Sequence, residues 1–399
     1  MAVEEQATGG THSAGLLRDR QAGGNQATTI ELFFDLVYVF AVTQLSHHLL
    51  DQLTITGALQ TVLLLAMVWL VWVYTTWVTN WLDPNRLPVR LLLVGLMLFS
   101  LVLSAGLPEA FAERGLWVGG AYALMQIGRS AFAAAALRGE RLQRNFQRIL
   151  AWCVVSGALA VAGGFADGYA RWALWLAAVG IDLLGGTVGF YTPGLGRSTT
   201  GDWTIDVNHL TDRCQAFILI ALGESIVAIG ATLSELHDLT GAALTAFIIA
   251  FTGSVALWWI YFDRSAEAST RVVASSTDPG RLGRSAYHFI HPIMIAGIIV
   301  AAVADELTIA HPGGHTSAAL TAVVLSGPAL FLAGHALFKW AVFNRLSIPR
   351  LLALLALAAL VPVSLVVPPL ALAVAATAIV VAVAIADTYT GQHTVSSLS

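Results

Sequence analysis

Two carboxylates lie inside strongly apolar stretches of the sequence and are the first candidates for chemistry. Asp35 stands in FFDLVYVFAVTQLS and Glu224 in LGESIVAIGATLS, and each is followed eight residues later by a threonine, Thr43 and Thr232. A carboxylate in hydrocarbon costs at least about 2.5 kcal/mol on insertion scales, so it usually faces a cavity or a partner. Two interpretations stay open. The acids bind a proton, cation or solute, or each only pairs with a neighbouring helix.

Each acid belongs to a polar face of its helix. At the helical period, Glu31 and Asp35 fall on one stripe of the first apolar segment, with two more polar side chains flanking it. Ser225 is adjacent to Glu224, and glycines in that segment permit close helix approach. The candidates for binding an ion or solute on these two faces are Glu31, Asp35, Tyr38, Thr43, Glu224, Ser225 and Thr232.

Two further charges lie in the apolar sequence between these segments. Arg129 needs a buried partner, and we expect it to be the counter-charge of Asp35 or Glu224. Asp182 lies beside two glycines in another apolar run, where it either lines the same cavity or bonds a helix end. Both residues are candidates for the site, with a purely structural ion pair as the alternative for Arg129.

Three histidines add groups that titrate near neutral pH. His288 and His291 are three residues apart, so we expect them to share a helix face, and His335 lies in a later apolar segment. Zinc needs three or four ligands. His335 is the only evident further ligand for the His288–His291 pair within the apolar sequence, and it lies in a separate segment, so we predict no metal site. Proton handling and ordinary helix hydrogen bonding are kept as the two interpretations of all three histidines.

Aromatic residues recur at corresponding places. Trp72 and Tyr74 occupy one apolar segment, and Trp259 and Tyr261 have the same spacing in a later one. Such side chains belong to an interfacial aromatic belt or to helix packing, or they wall a cavity and present π-faces to a cation. Both interpretations are kept.

The composition determines which elements must position these residues. Of 399 residues, 57% are hydrophobic and 11% are charged, against about 25% charged in a soluble domain. The net charge is −4 and only one of the 20 basic residues is lysine, so no nucleic-acid partner is expected. Two cysteines in or beside apolar segments exclude a disulfide framework. The class is an all-α, polytopic membrane helix bundle.

About twelve transmembrane helices are predicted, arranged as two six-helix units. Residues 1–27 form a disordered cytoplasmic tail, 28–192 the first unit, 193–208 a linker, 209–390 the second unit and 391–399 a tail. The spans lie near residues 29–50, 56–80, 88–107, 117–137, 145–166, 171–192, 210–234, 240–262, 284–306, 317–342, 348–366 and 370–388.

The distribution of arginine predicts the orientation. With twelve spans, nearly all Arg and Lys residues, Arg213 included, fall on the side of the two termini, and only Arg114 and Arg171 fall opposite. Arg129 alone is assigned to the interior of a span. Because basic residues accumulate on the cytoplasmic side, both termini are predicted to face the cytoplasm, in the bacterial cytoplasmic membrane.

An internal duplication is predicted from matched spacings. The acid and threonine recur in the first and seventh spans, the Trp-x-Tyr pattern in the second and eighth, and a Met and Glu twelve residues apart in the third and ninth. An even number of spans in each unit gives both copies the same orientation, so the two halves are predicted to be parallel repeats.

The segments ELFFDLVYVFAVTQLSHHL and HLTDRCQAFILIALGESIVAIG resemble the two signature segments of the low temperature requirement A (LtrA) family of bacterial membrane proteins. The resemblance covers nearly all the chain after the tail, including the segment WWIYFD. The sequence differs from the family pattern at Asp212, commonly Glu, and at Cys214 and Gln215, commonly Phe-Gly. The resemblance implies a membrane protein and carries no settled substrate or reaction.

Three functions compete. The first is a secondary transporter or ion channel in which Asp35 and Glu224 bind a proton, cation or solute, with proton coupling as one option. The alternative is a membrane-embedded enzyme in which one of these acids protonates an apolar lipid or prenyl substrate. The third is a sensor without turnover. No ATP-binding or common hydrolase motif is present, so no cofactor is expected. The expected partners are the lipid bilayer, the small ion, solute or lipid-like substrate, and a further copy of the chain.

Overall fold

The computed structural model describes residues 15–18, 26–203, 205–263 and 265–396. Within these residues the chain is helical and contains no strand. The helices are α1 (Thr29–Asp51), α2 (Ile55–Trp81), α3 (Leu87–Gly106), α4 (Gly115–Ala136), α5 (Gln143–Phe165), α6 (Gly168–Thr187), α7 (Val207–Glu235), α8 (Gly241–Phe262), α9 (Ser265–Ala274), α10 (Pro279–Gly283), α11 (His291–Ala310), α12 (Ala318–Phe343), α13 (Ile348–Val363) and α14 (Pro369–Ser396). A π-helical segment, Arg284–Ile290, joins α10 and α11 into one continuous rod.

Nine helices among the described residues are long and apolar enough to cross a membrane. They are α1, α2, α3, α5, α7, α8, the α10–α11 rod, α12 and the Pro369–Tyr389 part of α14. Helices α4, α6 and α13 also lie where spans were predicted, but they fall outside that set, and α13 is an apolar helix of 16 residues. The prediction of an all-α, multi-pass membrane bundle is confirmed, while the count of twelve spans stays a prediction.

Several helices begin at a residue whose side chain accepts from a free backbone donor of the first turn. Thr28 and Glu31 form a capping box at the start of α1, in which each side chain bonds the backbone of the other end of the turn. The Thr54 hydroxyl accepts from Gly57 N at 3.0 Å at the start of α2, and Asp206 accepts from His209 N at 3.2 Å at the start of α7. The caps of α1 and α7 lie at the end of the bundle that holds Glu31 and His209, and the cap of α2 lies at the opposite end.

Helix α2 lies at the centre of the bundle and most of its side chains are buried, including Trp69 and Trp72. Helix α1 packs on α2, α3, α7 and α11. Small residues allow the tightest pairs to approach. A Cβ on Gly119 of α4 would lie 2.1 Å from the Ala160 carbonyl oxygen of α5, and a Cβ on Gly327 of α12 would lie 2.7 Å from Ala301 N of α11.

Helix neighbours correspond between the two predicted halves. The pairs α1–α2, α1–α3, α3–α4 and α2–α6 have the counterparts α7–α8, α7–α11, α11–α12 and α8–α14, and α1 meets α7 between the halves. The arrangement is the one a duplicated unit would have, although the duplication itself stays a prediction.

Three parts of the structure differ from the expected organisation. Residues 15–18, predicted as disordered tail, pack on the end of α2 through Arg18 N to Trp81 O at 2.8 Å and Asp83 N to Leu16 O at 2.9 Å; residues 1–14 and 19–25 lie outside the described residues. Helix α14 continues to Ser396, into the predicted C-terminal tail. Helix α9 was not predicted, because its short sequence has no extended apolar run.

Candidate functional site

A buried ion pair joins the two predicted halves. The Arg213 guanidinium on α7 donates from Nε to Asp35 Oδ2 at 2.7 Å and from Nη2 to Asp35 Oδ1 at 2.6 Å. The Trp72 indole of α2 donates to the same Oδ1 at 2.6 Å. All three side chains are fully buried. This bidentate geometry is the strong form of the Arg–carboxylate interaction, and it binds α1, α2 and α7 together.

Glu31 extends the ion pair by one helical turn. Its Oε1 accepts from Arg213 Nη1 at 3.1 Å and lies 2.7 Å from His209 Nε2. Its Oε2 accepts from Arg18 Nη2 at 2.9 Å and from the Thr28 backbone and hydroxyl groups that form the helix cap. The Glu31 carboxylate is therefore surrounded by donors, and we call the group formed by Arg18, Glu31, Asp35, Trp72, His209 and Arg213 the buried network.

The tautomer of His209 follows from its neighbour Asn80. The Asn80 amide is oriented by Asp206, whose backbone N–H donates to Asn80 Oδ1 at 2.9 Å and whose carbonyl accepts from Nδ2 at 2.8 Å. Asn80 Nδ2 then lies 3.2 Å from His209 Nδ1. His209 Nδ1 is the acceptor, so Nε2 carries the proton that is donated to Glu31.

The sequence spacing explains why these groups meet. Glu31 and Asp35 are four residues apart on α1, and His209 and Arg213 are four apart on α7, so each pair occupies one helix face. Where the two faces meet, an acid stripe lies against a basic stripe. Neither acid is among the described residues that line the three cavities, and both side chains are fully buried.

The expectation that Arg129 neutralises Asp35 or Glu224 is wrong. Arg129 of α4 donates from Nη2 to Gln126 Oε1 and from Nη1 to the Val71 carbonyl at 3.2 Å. No carboxylate of the described residues lies within ion-pairing distance of it. Its Nε is buried without a hydrogen-bond partner in the described part of the chain.

Asp182 stands behind Arg129 in a second buried cluster. Its Oδ2 accepts from the Tyr122 hydroxyl and from Gln126 Nε2, the latter at 2.6 Å. The Tyr74 hydroxyl donates to the Asp182 carbonyl at 2.9 Å, and the Arg129 guanidinium lies 5.2 Å from the centre of the Tyr74 ring. The Gln126 amide therefore bridges Asp182 and Arg129 by hydrogen bonds, and the two charges also interact directly, although they do not form an ion pair.

A cavity of about 170 Å³ opens beside this cluster, smaller than the ~300–1,000 Å³ that is typical of pockets for drug-sized ligands. It lies at the end of the bundle that holds the loops rich in arginine, which we call the arginine-rich end. Arg129, Arg284 and His288 contribute its charged or titratable side chains, and no acidic residue is among the described lining residues. The aromatic lining consists of Tyr74, Trp77, Trp81, Phe146, Phe190 and Trp203.

The histidines do not form one group. The π-helical segment changes the residue spacing before α11, so His288 points into the cavity beside Tyr74, whereas His291 faces α8. There His291 Nδ1–H donates to Ala286 O at 3.1 Å and Nε2 accepts from the Tyr261 hydroxyl at 2.7 Å. The expectation of a shared face is wrong. His335 accepts at Nδ1 from Arg350 Nε at 2.9 Å.

No group of metal ligands occurs among the described residues. Both ring nitrogens of His291 are already bonded, and His335 is bonded to an arginine. These contacts favour the interpretation of His291 and His335 as hydrogen-bonded helix histidines.

The remaining predicted residues lie outside the cavity lining, and two of them, Thr43 of α1 and Glu224 of α7, interact with each other. Tyr38 is buried and its hydroxyl accepts from Ser100 at 3.1 Å. The hydroxyls of Thr43 and Thr232 donate to carbonyls of their own helices. Trp259 is 42% exposed and donates to Thr388 at 3.1 Å, unlike Trp72. Glu224 and Ser225 are both buried on α7, away from the cavity lining.

Sequence reasoning therefore brought Tyr74, Arg129 and His288 to the cavity, but missed Arg213 and Arg284. Arg213 lies within the predicted seventh span, 210–234, although it was counted with the loops. A basic residue inside a span, four residues after a histidine, was the available signal.

A family model described as bacterial low temperature requirement A protein (LtrA) matches residues 26–385. The chain belongs to the LtrA family. An uncharacterized protein of Rhizobium meliloti (strain 1021) is 36% identical over 321 residues, which is 80% of this chain and 78% of that protein. No solved structure matches the chain.

The LtrA match confirms the resemblance given by the two signature segments. It includes the whole cavity and every member of the buried network except Arg18. Together with the apolar helices, LtrA membership identifies a multi-pass bacterial membrane protein.

Proposed function

We propose that this LtrA protein is a secondary transporter for a small organic anion with an aromatic or apolar body. The observation that carries the proposal is the charge of the cavity lining: Arg129 and Arg284 are its cations, and no acidic residue is among the described lining residues. Arginines without a carboxylate partner attract anions, and the anionic group of a solute would supply the missing counter-charge.

The mouth of the cavity is also positively charged. Arg284 lines it from the π-helical segment, and a neighbouring hollow of about 310 Å³ is lined by Arg141, Arg144 and Arg148, with Asp202 as its acid. Both hollows share the first turns of α5 and residues 198–203 as walls. Clustered arginines raise the local concentration of anions, so this end favours anion entry.

The aromatic lining provides the second half of the recognition. Trp81 packs against Trp203 with ring centres 5.1 Å apart and against Phe146 at 5.8 Å, which gives the cavity one rigid aromatic wall. Ligand sites are typically apolar with a few placed polar groups. A solute with both an anionic group and an apolar body would use the wall and Arg129 together.

A carrier accounts for the cavity better than an open channel. Its lining comes only from the parts of the helices nearest the arginine-rich end, from Tyr74 and Arg129 outward. In the orientation predicted by the positive-inside rule, this is an inward-facing cavity. The buried network lies between the two proposed repeats, where carriers of this kind rock, and it lies at the same end of the bundle as the cavity.

The alternative of an acid-initiated enzyme is less well supported by the geometry. Its proposed acids, Asp35 and Glu224, do not line the cavity, and Asp35 is saturated by Arg213 and Trp72. A general acid must lie within hydrogen-bond reach of the atom it protonates. The cavity supplies cations instead.

The test uses the tryptophans of the cavity wall as reporters. Benzoate and phenyl phosphate are titrated against purified protein while tryptophan fluorescence is followed, with benzyl alcohol as the uncharged analogue. We expect the anions to change the fluorescence, and Arg129→Gln or Arg284→Gln to weaken binding by about tenfold or more, since a charge-assisted hydrogen bond contributes about 1.5–3 kcal/mol. Arg114→Gln, at the opposite end, is the matched control.

Transport is then measured as counterflow of radiolabelled benzoate or phenyl phosphate into proteoliposomes. Uptake that requires Arg129 supports the proposal. Equal binding of benzyl alcohol, or binding that survives in both cavity variants, would contradict it.

A further inference from the structure

Glu224 has a carboxylate oxygen with no partner in the interior of the bundle. The residue lies on α7 and is 4% exposed, and its Oε2 is buried without a hydrogen bond from any described residue. Its predicted counterpart in the other half, Asp35, has both oxygens filled by Arg213 and Trp72. Two acids at related positions in the sequence therefore have opposite environments.

A series of titratable groups connects Glu224 to the end of the bundle opposite the cavity. The charge of Glu306 on α11 acts on Glu224. Glu306 is half-buried and interacts in turn with the exposed groups Asp51 and His47 at the end of α1 and Glu235 at the end of α7. Exposure thus falls stepwise from the surface to Glu224, as it would along an entry path.

The neighbours of Glu224 suit a proton better than a metal ion. Thr43 of α1 and Glu306 of α11 are the polar groups that interact with it, and no arginine or lysine is among them. A hard cation needs several oxygen ligands, and no group of three or more His, Cys, Asp or Glu side chains that could hold a metal ion occurs among the described residues. A proton needs one free oxygen, which Oε2 provides. Protonation neutralises the Glu224 carboxylate and so removes the free-energy cost of a buried charge that lacks a full set of hydrogen bonds.

We propose that Glu224 is the proton-binding site that couples this protein to a proton gradient, reached from the end opposite the anion cavity. The proton adds to the free carboxylate oxygen and leaves it again, so nothing else is consumed. The coupling role rests on the proposed transport function, whereas proton binding at Glu224 is measurable without it.

Helix α7 provides the connection between this site and the cavity end. Arg213 and Glu224 are eleven residues apart on α7, which places them about three turns apart on nearly the same face. Arg213 holds one end of that face to α1 through Asp35. A change of charge at Glu224 therefore acts on the same α1–α7 interface that the buried network closes, and could bias its opening.

The test is site-specific labelling of the purified full chain with dicyclohexylcarbodiimide, an apolar reagent that modifies protonated carboxyl groups, followed by mass spectrometry of the peptides. We expect Glu224 to be labelled, with labelling falling by about tenfold per pH unit once the carboxyl ionises at higher pH. Asp35, enclosed by its donors, is expected to stay unlabelled in the same sample. Glu224→Gln gives the background, and Glu235, exposed on the same helix, is the water-facing comparison.

Each result separates the two proposals. Absence of label at Glu224 in protein with an unchanged unfolding temperature, or labelling independent of pH, overturns the proton site even if benzoate binding succeeds. Loss of label on adding sodium or potassium at constant pH also overturns it, in favour of a cation. If Glu224 labels as expected while no anion binds the cavity, the proton site is supported and the proposed substrate class is rejected.

Discussion

Arg213 and Asp35 are mutually dependent, because each leaves a fully buried charge when the other is removed. Breaking one partner of a buried ion pair typically destabilises a protein by about 3–5 kcal/mol, whereas replacing both by apolar residues is often neutral. We expect Asp35→Leu and Arg213→Met each to lower the unfolding temperature strongly, and the double variant to recover much of the loss. Thermal unfolding in detergent, followed by tryptophan fluorescence, measures the three effects.

The surrounding residues decide how complete that recovery is. Glu31 also binds Arg213, and it keeps Arg18 and His209 when the guanidinium is lost. Lys339→Met, which loosens a pair 3.9 Å long at another site, is the control and should change little. If the decreases in unfolding temperature of the two single variants simply add in the double variant, Asp35 and Arg213 are not energetically coupled. The ion pair would then not hold α1 against α7.

At this scale the sequence identified the acids but not their partner. Asp35 and Glu31 could be predicted as polar groups on one helix face, because an acid within an apolar run is conspicuous. Arg213 is close to the start of its predicted span, where a basic residue is typical of a loop, so the sequence favours Arg129 as the counter-charge. Asp35→Asn is accordingly expected to destabilise the protein, since it leaves the buried Arg213 without the Asp35 carboxylate.

Helix α4 is held against α5 by close backbone contact at Gly119. A Cβ there would lie 2.1 Å from the Ala160 carbonyl oxygen, whereas a Cβ on the adjacent Gly120 would meet nothing within 4 Å. We expect Gly119→Ala to separate the helices and lower the unfolding temperature. Gly120→Ala should leave it unchanged or raise it, since alanine favours helix by up to about 1 kcal/mol over glycine.

Both substitutions add one methyl group to a glycine inside α4. The gain in helix propensity is therefore the same for both variants, and only the packing of the added methyl group differs. Thermal unfolding of both variants in the same detergent measures the difference. Equal stability of the two variants would show that α4 and α5 do not approach as closely as the structure has them.

The elements were predictable where apolar length alone defines them. The bounds of α1, predicted as 29–50, and of α2, predicted as 56–80, agree with the structure within one residue. The π-helical segment Arg284–Ile290 was not predictable, because local hydrogen-bond register is decided by packing against other helices. That one segment sends His288 to the cavity and His291 to Tyr261, which is why the shared-face prediction failed.

The whole molecule is polarised along the helix axes. The buried network, the cavity and its arginines lie near one end, where α2 ends and α7 begins. The acidic series that leads to Glu224 lies toward the other end, where α1 and α7 finish. The net charge of −4 does not reveal either concentration of charge, because the positive charges at one end partly cancel the negative charges at the other. The separation of the two charges arises from the fold.

This polarity requires a definite orientation, which single cysteines can test. Asn85 is exposed in the loop between α2 and α3 at the arginine-rich end, and Glu113 is exposed between α3 and α4 at the opposite end. The native Cys153 and Cys214 are buried, so they should react little with a maleimide that cannot cross membranes. In intact bacterial spheroplasts we expect Glu113→Cys to be labelled and Asn85→Cys to be labelled only after lysis.

The positive-inside rule predicts this result, since the arginine-rich end belongs on the cytoplasmic side. The anion cavity would then open to the cytoplasm and the Glu224 path to the outside, so that a proton entering from outside and an organic anion bound from inside would use opposite ends of one carrier. Labelling of Asn85→Cys in intact spheroplasts, with Glu113→Cys protected, would reverse both assignments. The protein would then bind the anion from outside and the proton from the cytoplasm, so the exchange would take up the anion.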